Sequence, residues 1–232
     1  MILFYTSIPR SFRTTLIGHL YKLASEYPVV LLSEDLDEFT EEIVKNKKLF
    51  PKLEAIIPVH LCGHPAEMNK IMMIAKKYNL FVIEDSAQAI GAIYNNRYTG
   101  TMGDCGVFSF NQSKHINTGE GGLLITNDDL IARRVKAVRN HGEVSDPDLK
   151  LVGYNYRLCE IEASLALEQL YNLDSMTDIR IKLADRMTQR LSEIPGFTPP
   201  VTYPDCKHVF YTYAVKYDES MTGLSRDEFQ DK

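Results

Sequence analysis

The chain has 232 residues, 44% hydrophobic and 25% charged, with a formal net charge of -5, an ordinary globular balance that suits one large or two small domains around a buried core. No Lys/Arg-rich run stands out, which argues against nucleic acid as a partner, and no stretch approaches the ~20 apolar residues of a membrane span. Residues 1–10 lack the basic region and long apolar stretch of a signal peptide, and Cys62, Cys105, Cys159 and Cys206 are too scattered for a zinc site and too few for a disulfide scaffold. They read as reduced thiols of a cytoplasmic protein with no metal.

Residues 1–5 form a short apolar run. Leu16, Ile17, Leu20, Leu23 and Ala24 are spaced for one helix face, and residues 29–32 are again apolar. This is strand, helix, strand. Residues 34–52 are polar and charged, a helix plus loop. Residues 56–60 are strand-like, Pro65 stands where a helix would begin, and Met68, Ile71, Met72 and Ala75 follow the helical spacing. Residues 81–83 predict a buried strand ending at Glu84-Asp85. Residues 107–110 and 123–126 predict further strands, and residues 130–139 and 160–191 predict helices. Pro195-Gly196 and Pro199-Pro200 punctuate the chain, after which residues 209–215 predict a strand that opens something new. Alternating strands and helices argue for an α/β fold with a largely parallel sheet, in which chemistry collects at the carboxyl ends of strands. Asp85 sits at one such end.

Three segments carry candidate chemistry: Val82 to Ala89, Gly106 to Phe110, and Ser113-Lys114 running into Gly119 to Gly122. A strand-end carboxylate, a hydroxyl on the next strand and a lysine just beyond it are what pyridoxal 5'-phosphate (PLP) requires. The lysine joins the aldehyde as a Schiff base, an Asp keeps the pyridinium nitrogen protonated, and hydroxyl and amide donors hold the phosphate. Each residue also has a plainer reading. Lys114 is then a solvated surface lysine, Asp85 a loop or cap residue, Ser109 a strand hydroxyl bonded to backbone, and the glycines a tight turn.

From about Pro58 to Phe210 the chain resembles the DegT/DnrJ/StrS family of PLP-dependent sugar aminotransferases. The resemblance rests on PVHLCGHPAEM, VIEDSAQAIGA, FSFNQSKHINTGEGG, RNHGE, GYNYRLCEIEASLALEQL and HVFYTYAV, in the family's order. It implies an aspartate aminotransferase-like, fold type I large domain. By the same resemblance, Lys114 is the Schiff-base lysine and the catalyst of proton transfer, Asp85 the partner of the pyridine nitrogen, and Gln88 the neighbour of the ring hydroxyl. Ser109 is a phosphate ligand, and Asn155 reaches the phosphate held by the neighbouring subunit, so a homodimer with shared active sites is expected. Relatives with histidine at the catalytic position are dehydratases; Lys114 favours transamination and leaves His115 a structural neighbour. The implied reaction moves an amino group from glutamate or glutamine to a nucleotide-linked keto-sugar.

Family members begin with a helix, a Gly-Thr phosphate segment and a strand bearing the aromatic residue that stacks on the PLP ring. Residues 1–57 hold no counterpart, and the family's small domain would continue past Lys232. The expected division is therefore 1–57, an unmatched α/β segment; 58–195, the central part of the PLP-binding domain; and 196–232, the start of a truncated small domain. Weak binding of PLP, or none, is expected of this chain on that ground. Two other readings compete: a non-catalytic fragment that keeps the central layer and dimer surface, and a nucleotide-sugar binder using 1–57. His60 and His64 read as satisfied structural histidines, and Ala163, Ala166, Leu167 and Leu170 as core packing.

Overall fold

The computed structural model describes residues 2–5, 29–32, 54–143 and 151–231. Four apolar runs become β1 (Ile2–Tyr5), β2 (Val29–Leu32), β3 (Ala55–Pro58) and β4 (Phe81–Asp85), which lie side by side and parallel. β7 (Cys105–Ser109) pairs parallel with β4, and β8 (Gly122–Thr126) closes the series antiparallel to β7. The sheet order is β2-β1-β3-β4-β7-β8, so strands from residues 1–57 continue the same sheet. The helix expected around residues 16–24 and the helix and loop expected over 34–52 lie outside the described residues.

The best-formed core lies where helix α1 (Met68–Tyr78) covers β3 and β4. Met68, Ile71, Ile74 and Ala75 face inward at helical spacing and meet Ile56, Leu80, Val82 and Met102. Full burial of an aliphatic side chain such as Ile56 or Ile71 contributes about 2 kcal/mol against solvation. The helix starts at Met68, three residues after Pro65, and ends at Asn79, whose φ of 53° lets Leu80 N–H return to the Ala75 carbonyl at 2.8 Å.

Between β4 and β7 the chain makes a hairpin, β5 (Ile93–Tyr94) and β6 (Arg97–Tyr98). It turns on Asn95 and Asn96, both left-handed at φ 47° and 61°, the backbone a tight two-residue hairpin turn demands. Beyond β8, Asp128 caps helix α2 (Asp129–Arg139) by accepting from the N–H groups of Leu130 and Ile131.

Three expectations are corrected. The helix over 160–191 is two helices, α3 (Glu160–Tyr171) and α4 (Leu173–Leu191), broken at Asn172 with φ −99° and ψ 0°. The face of α3 expected to be core has no buried residue, and Leu167 and Leu170 are about half exposed; only Ala166 packs partly, against the cluster of Phe110, Ile116 and Leu173. Residues 209–215 are not a strand. The neighbouring strands are β10 (Cys206–Lys207), which extends the β5–β6 hairpin, and β11 (Lys216–Tyr217), which pairs with β9 (Phe197–Thr198). The segment between them bends because Phe210 is left-handed at φ 49° and its neighbours bond to the turn around Cys62 rather than to a strand. Two short helices, α5 (Glu219–Thr222) and α6 (Arg226–Gln230), end the described chain.

Candidate active site

β4 and β7 run parallel with Asp85 opposite Val107, so Asp85 and Ser109 both stand at carboxyl ends of adjacent strands. The Asp85 carboxylate starts a turn: Oδ1 accepts the Ala87 N–H at 3.0 Å. Oδ2 takes no hydrogen bond among the described residues. Ser109 Oγ accepts the Asn111 N–H at 3.3 Å, and no described residue accepts its hydroxyl proton.

Gln88, three residues after Asp85, reaches sideways to the 3-10 turn Leu61–Gly63 and accepts the Cys62 N–H at 2.7 Å. That turn also receives residues 209–212. Val209 N–H donates to the Gly63 carbonyl at 3.0 Å, and Thr212 N–H donates to the Cys62 carbonyl at 3.2 Å. Gly63 is required here: its φ is 92°, and a Cβ would sit 2.8 Å from the Tyr211 nitrogen and 3.1 Å from the Gln88 carbonyl.

Lys114 lies half-buried in the loop between β7 and β8, with its N–H on the Asn111 carbonyl at 2.9 Å. Its Nζ is 4.6 Å from the centre of the Tyr211 ring. Among the described residues no carboxylate pairs with it. The next residue, His115, is buried and donates Nε2–H to the Val209 carbonyl across 2.9 Å. Burial holds the His115 pKa below the ordinary histidine value; the bond to Val209 opposes this, while Arg180 and Lys114 reinforce it. A neutral imidazole engaged with backbone is a structural neighbour, as the sequence suggests.

Beneath this edge His60 and Glu84 are fully buried. His60 Nδ1 accepts the Ala66 N–H at 3.0 Å, which puts the ring proton on Nε2, 3.0 Å from Glu84 Oε2. Glu84 also accepts from the N–H groups of Gly100, Met102 and Gly103. Burial pushes the Glu84 pKa up, but His60 and the backbone donors outweigh it and hold the carboxyl below the usual range. His64 is likewise satisfied, donating Nδ1–H to the Pro65 carbonyl and accepting the Tyr203 N–H on Nε2.

Gln88 is thus tied through the Cys62 turn to residues 209–212, whose Tyr211 ring faces Lys114 Nζ, while Asp85 and Ser109 end the adjacent strands β4 and β7. Asn155 is not part of this group. It is exposed and bridges to Asn140, and no contact among the described residues joins it to the other four. Tyr211 is the residue that sequence reasoning missed. It sits in the motif HVFYTYAV, but nothing in residue type or spacing reveals that a turn at Phe210 aims it at Lys114. Two cavities of about 330 and 320 Å³ lie elsewhere; Tyr98, Phe108, Leu123 and Leu170 line part of the first, and Glu67, Tyr94 and Tyr203 part of the second.

A model of the DegT/DnrJ/EryC1/StrS aminotransferase family matches residues 35–232, starting upstream of the Pro58 at which the motif resemblance begins. GDP-perosamine synthase of Caulobacter vibrioides is 37% identical over 205 residues, covering 86% of this chain and 54% of that protein. The spore coat polysaccharide biosynthesis protein SpsC of Bacillus subtilis is 33% identical over 214 residues, 84% of this chain and 54% of that protein. The crystal structure of DesV from S. venezuelae, in complex with a ketimine intermediate, matches with a TM-score of 0.77 at 28% identity, over 99% of this chain and 60% of that one. The chain spans about half the length of the curated relatives it matches.

Proposed function

The chain belongs to the DegT/DnrJ/EryC1/StrS aminotransferase family, and from that premise we propose that it carries the catalytic portion of a PLP-dependent enzyme. In this reading it transfers the amino group of glutamate or glutamine to a nucleotide-linked keto-sugar for a surface polysaccharide. The sugar substrate is carried over from the relatives named for GDP-perosamine and for spore coat polysaccharide. The observation that carries the reading is Lys114, a lysine with no carboxylate partner among the described residues, on the loop that follows the strand next to Asp85.

The donor set fits the cofactor. One Asp85 oxygen has no hydrogen bond and the Ser109 hydroxyl no acceptor among the described residues, so both have capacity for a ligand. In this assignment Lys114 Nζ would hold PLP covalently, the Asp85 carboxylate would partner the pyridine nitrogen, Gln88 would neighbour the ring hydroxyl, and Ser109 would donate to the phosphate. Bound PLP supplies an electron sink. With the cofactor bound, Lys114 would be the group that holds and moves the proton of the donor's α-carbon as general base and acid.

Asn155 belongs to the proposal through a partner subunit. Its exposure, together with Val152, Tyr154, Tyr156, Ile161 and Tyr171, each more than half exposed, supports a homodimer with shared sites. Among the described residues β9 and β11 pair only with each other, which supports a division at about residue 196, while β10 between them is joined to the β5–β6 hairpin of the preceding domain. A cytoplasmic setting agrees with four free cysteines, and among the described residues no helix is long and apolar enough to cross a membrane.

The test is to incubate the purified chain with saturating PLP, reduce with borohydride and map the adduct by peptide mass spectrometry. A pyridoxyl group on Lys114 is expected. No adduct there, with the chain folded, would overturn the reading and leave the non-catalytic one.

A further inference from the structure

We propose that Tyr211 is a positioning residue for Lys114, its ring seating the amine while its hydroxyl is tied by a hydrogen-bonded line through Ser113 and Asn111 to Glu120. The proposal rests on the assignment of Lys114 as the reactive lysine and adds a residue to it.

The direction of each bond in the line follows from the groups at its outer end. Asn111 Nδ2 donates to Glu120 Oε1 at 2.9 Å, which turns Asn111 Oδ1 toward Ser113. That oxygen accepts both the N–H and the hydroxyl of Ser113 at 3.0 Å. A serine hydroxyl has one proton, and Asn111 has taken it. At the 3.0 Å contact between Ser113 Oγ and Tyr211 Oη the tyrosine must therefore donate.

The ring contributes separately. At 4.6 Å from the ring centre, the ammonium lies within cation–π range. A lysine stem has about 2 kcal/mol of rotamer entropy to lose, so an amine that must return repeatedly to one carbon gains from a fixed seat. Tyr211 itself is held from three sides: Val209 N–H on the Gly63 carbonyl, His115 on the Val209 carbonyl, and Thr212 N–H on the Cys62 carbonyl. The left-handed turn at Phe210 directs it. A tyrosine serving only to fill space would need neither the turn nor the relay.

The measurement needs no cofactor. Limiting acetic anhydride is added to the folded chain, and acetylation of Lys114 is read by mass spectrometry relative to exposed Lys136. Tyr211→Ala should raise the relative acetylation of Lys114 about 2- to 5-fold, the factor set by a cation–π contact. Tyr211→Phe keeps the ring and removes the line, and should raise it by about 2- to 3-fold; Ser113→Ala should match it. The urea midpoint of Tyr211→Phe should stay at the wild-type value, which separates positioning from a fold effect. Should Tyr211→Ala fail to fold, Tyr211→Phe and Ser113→Ala decide. Unchanged Lys114 acetylation in the folded variants overturns the proposal, even where wild-type chain forms the pyridoxyl adduct. Absence of that adduct overturns the assignment of Lys114 instead, and acetylation still reads its seating by Tyr211.

Discussion

His60 Nε2 lies 3.0 Å from Glu84 Oε2, and both side chains are completely buried. The pair joins the end of β3 to the turn at Gly100, Met102 and Gly103, whose N–H groups end on the same carboxylate. One acidic group therefore sets where β7 begins and, through β7, where Ser109 and the Lys114 loop leave the sheet.

Glu84→Gln is expected to destabilise the chain by about 2–4 kcal/mol, because an amide turned toward four donors leaves at least one of them buried and unpaired. Urea unfolding at neutral pH measures the loss. A change below about 0.5 kcal/mol, the range of an ordinary surface substitution, would show that the carboxylate is dispensable.

Stability should fall on mild acidification. Burial lowers the pKa of His64 and His115, and it pushes His208 down to about 4. A histidine depressed in the folded state binds its proton first in the unfolded state. Its contribution is thus complete above about pH 6.5, declines as pH falls, and levels off below the folded pKa, at about 3 kcal/mol lost for His208. Glu84, whose carboxyl is also held below its ordinary range, acts in the same sense at lower pH, its stability present above the unfolded carboxyl pKa and lost as pH falls further. Urea midpoints between pH 7.5 and 4.5 should fall steadily, and His208→Asn, which keeps an acceptor for the Phe210 N–H, should flatten the curve. Equal slopes in the two chains would refute the assignment.

Asp85→Asn is expected to leave the pyridoxyl adduct on Lys114 while lowering amino transfer by about 10²-fold or more, the scale for removing one electrostatic partner of developing charge. Single-turnover conversion of the amino donor, followed by absorbance, reads it. Equal loss of the adduct would make Asp85 a folding residue.

The exposed apolar side of α3 bears on assembly. Ile161 is 73% and Tyr171 77% exposed, more than an unpartnered helix favours. On the proposal of a homodimer, Ile161→Glu with Tyr171→Glu should give a monomer in light scattering where the wild-type chain gives a dimer, without shifting far-UV circular dichroism. A double variant that stays dimeric would locate the subunit contact elsewhere.

Much of the sheet was legible because its strands are short apolar runs between turn residues, as at Val29–Leu32 and Phe81–Asp85. The β5–β6 hairpin was legible in principle, since Asn95-Asn96 between two aromatic-bearing dipeptides is a strong turn signal that hydrophobic periodicity passes over. Residues 209–215 misled because an alternating aromatic segment looks like a strand wherever its hydrogen bonds go. Here they go to main-chain atoms more than a hundred residues away, and no local pattern encodes that. For the same reason Lys114 and Asp85 could be named from motifs, whereas Tyr211 could not.

The junction at Gly63 has a consequence for variation. Residues 62–63 and 209–212 are joined through carbonyls and amides, so the join does not depend on which side chains Cys62, Tyr211 and Thr212 carry. Natural substitutions can change the lining around the amine while the two loops stay docked, provided position 63 remains without a β-carbon. The scaffold can thus stay constant while its chemical preference drifts.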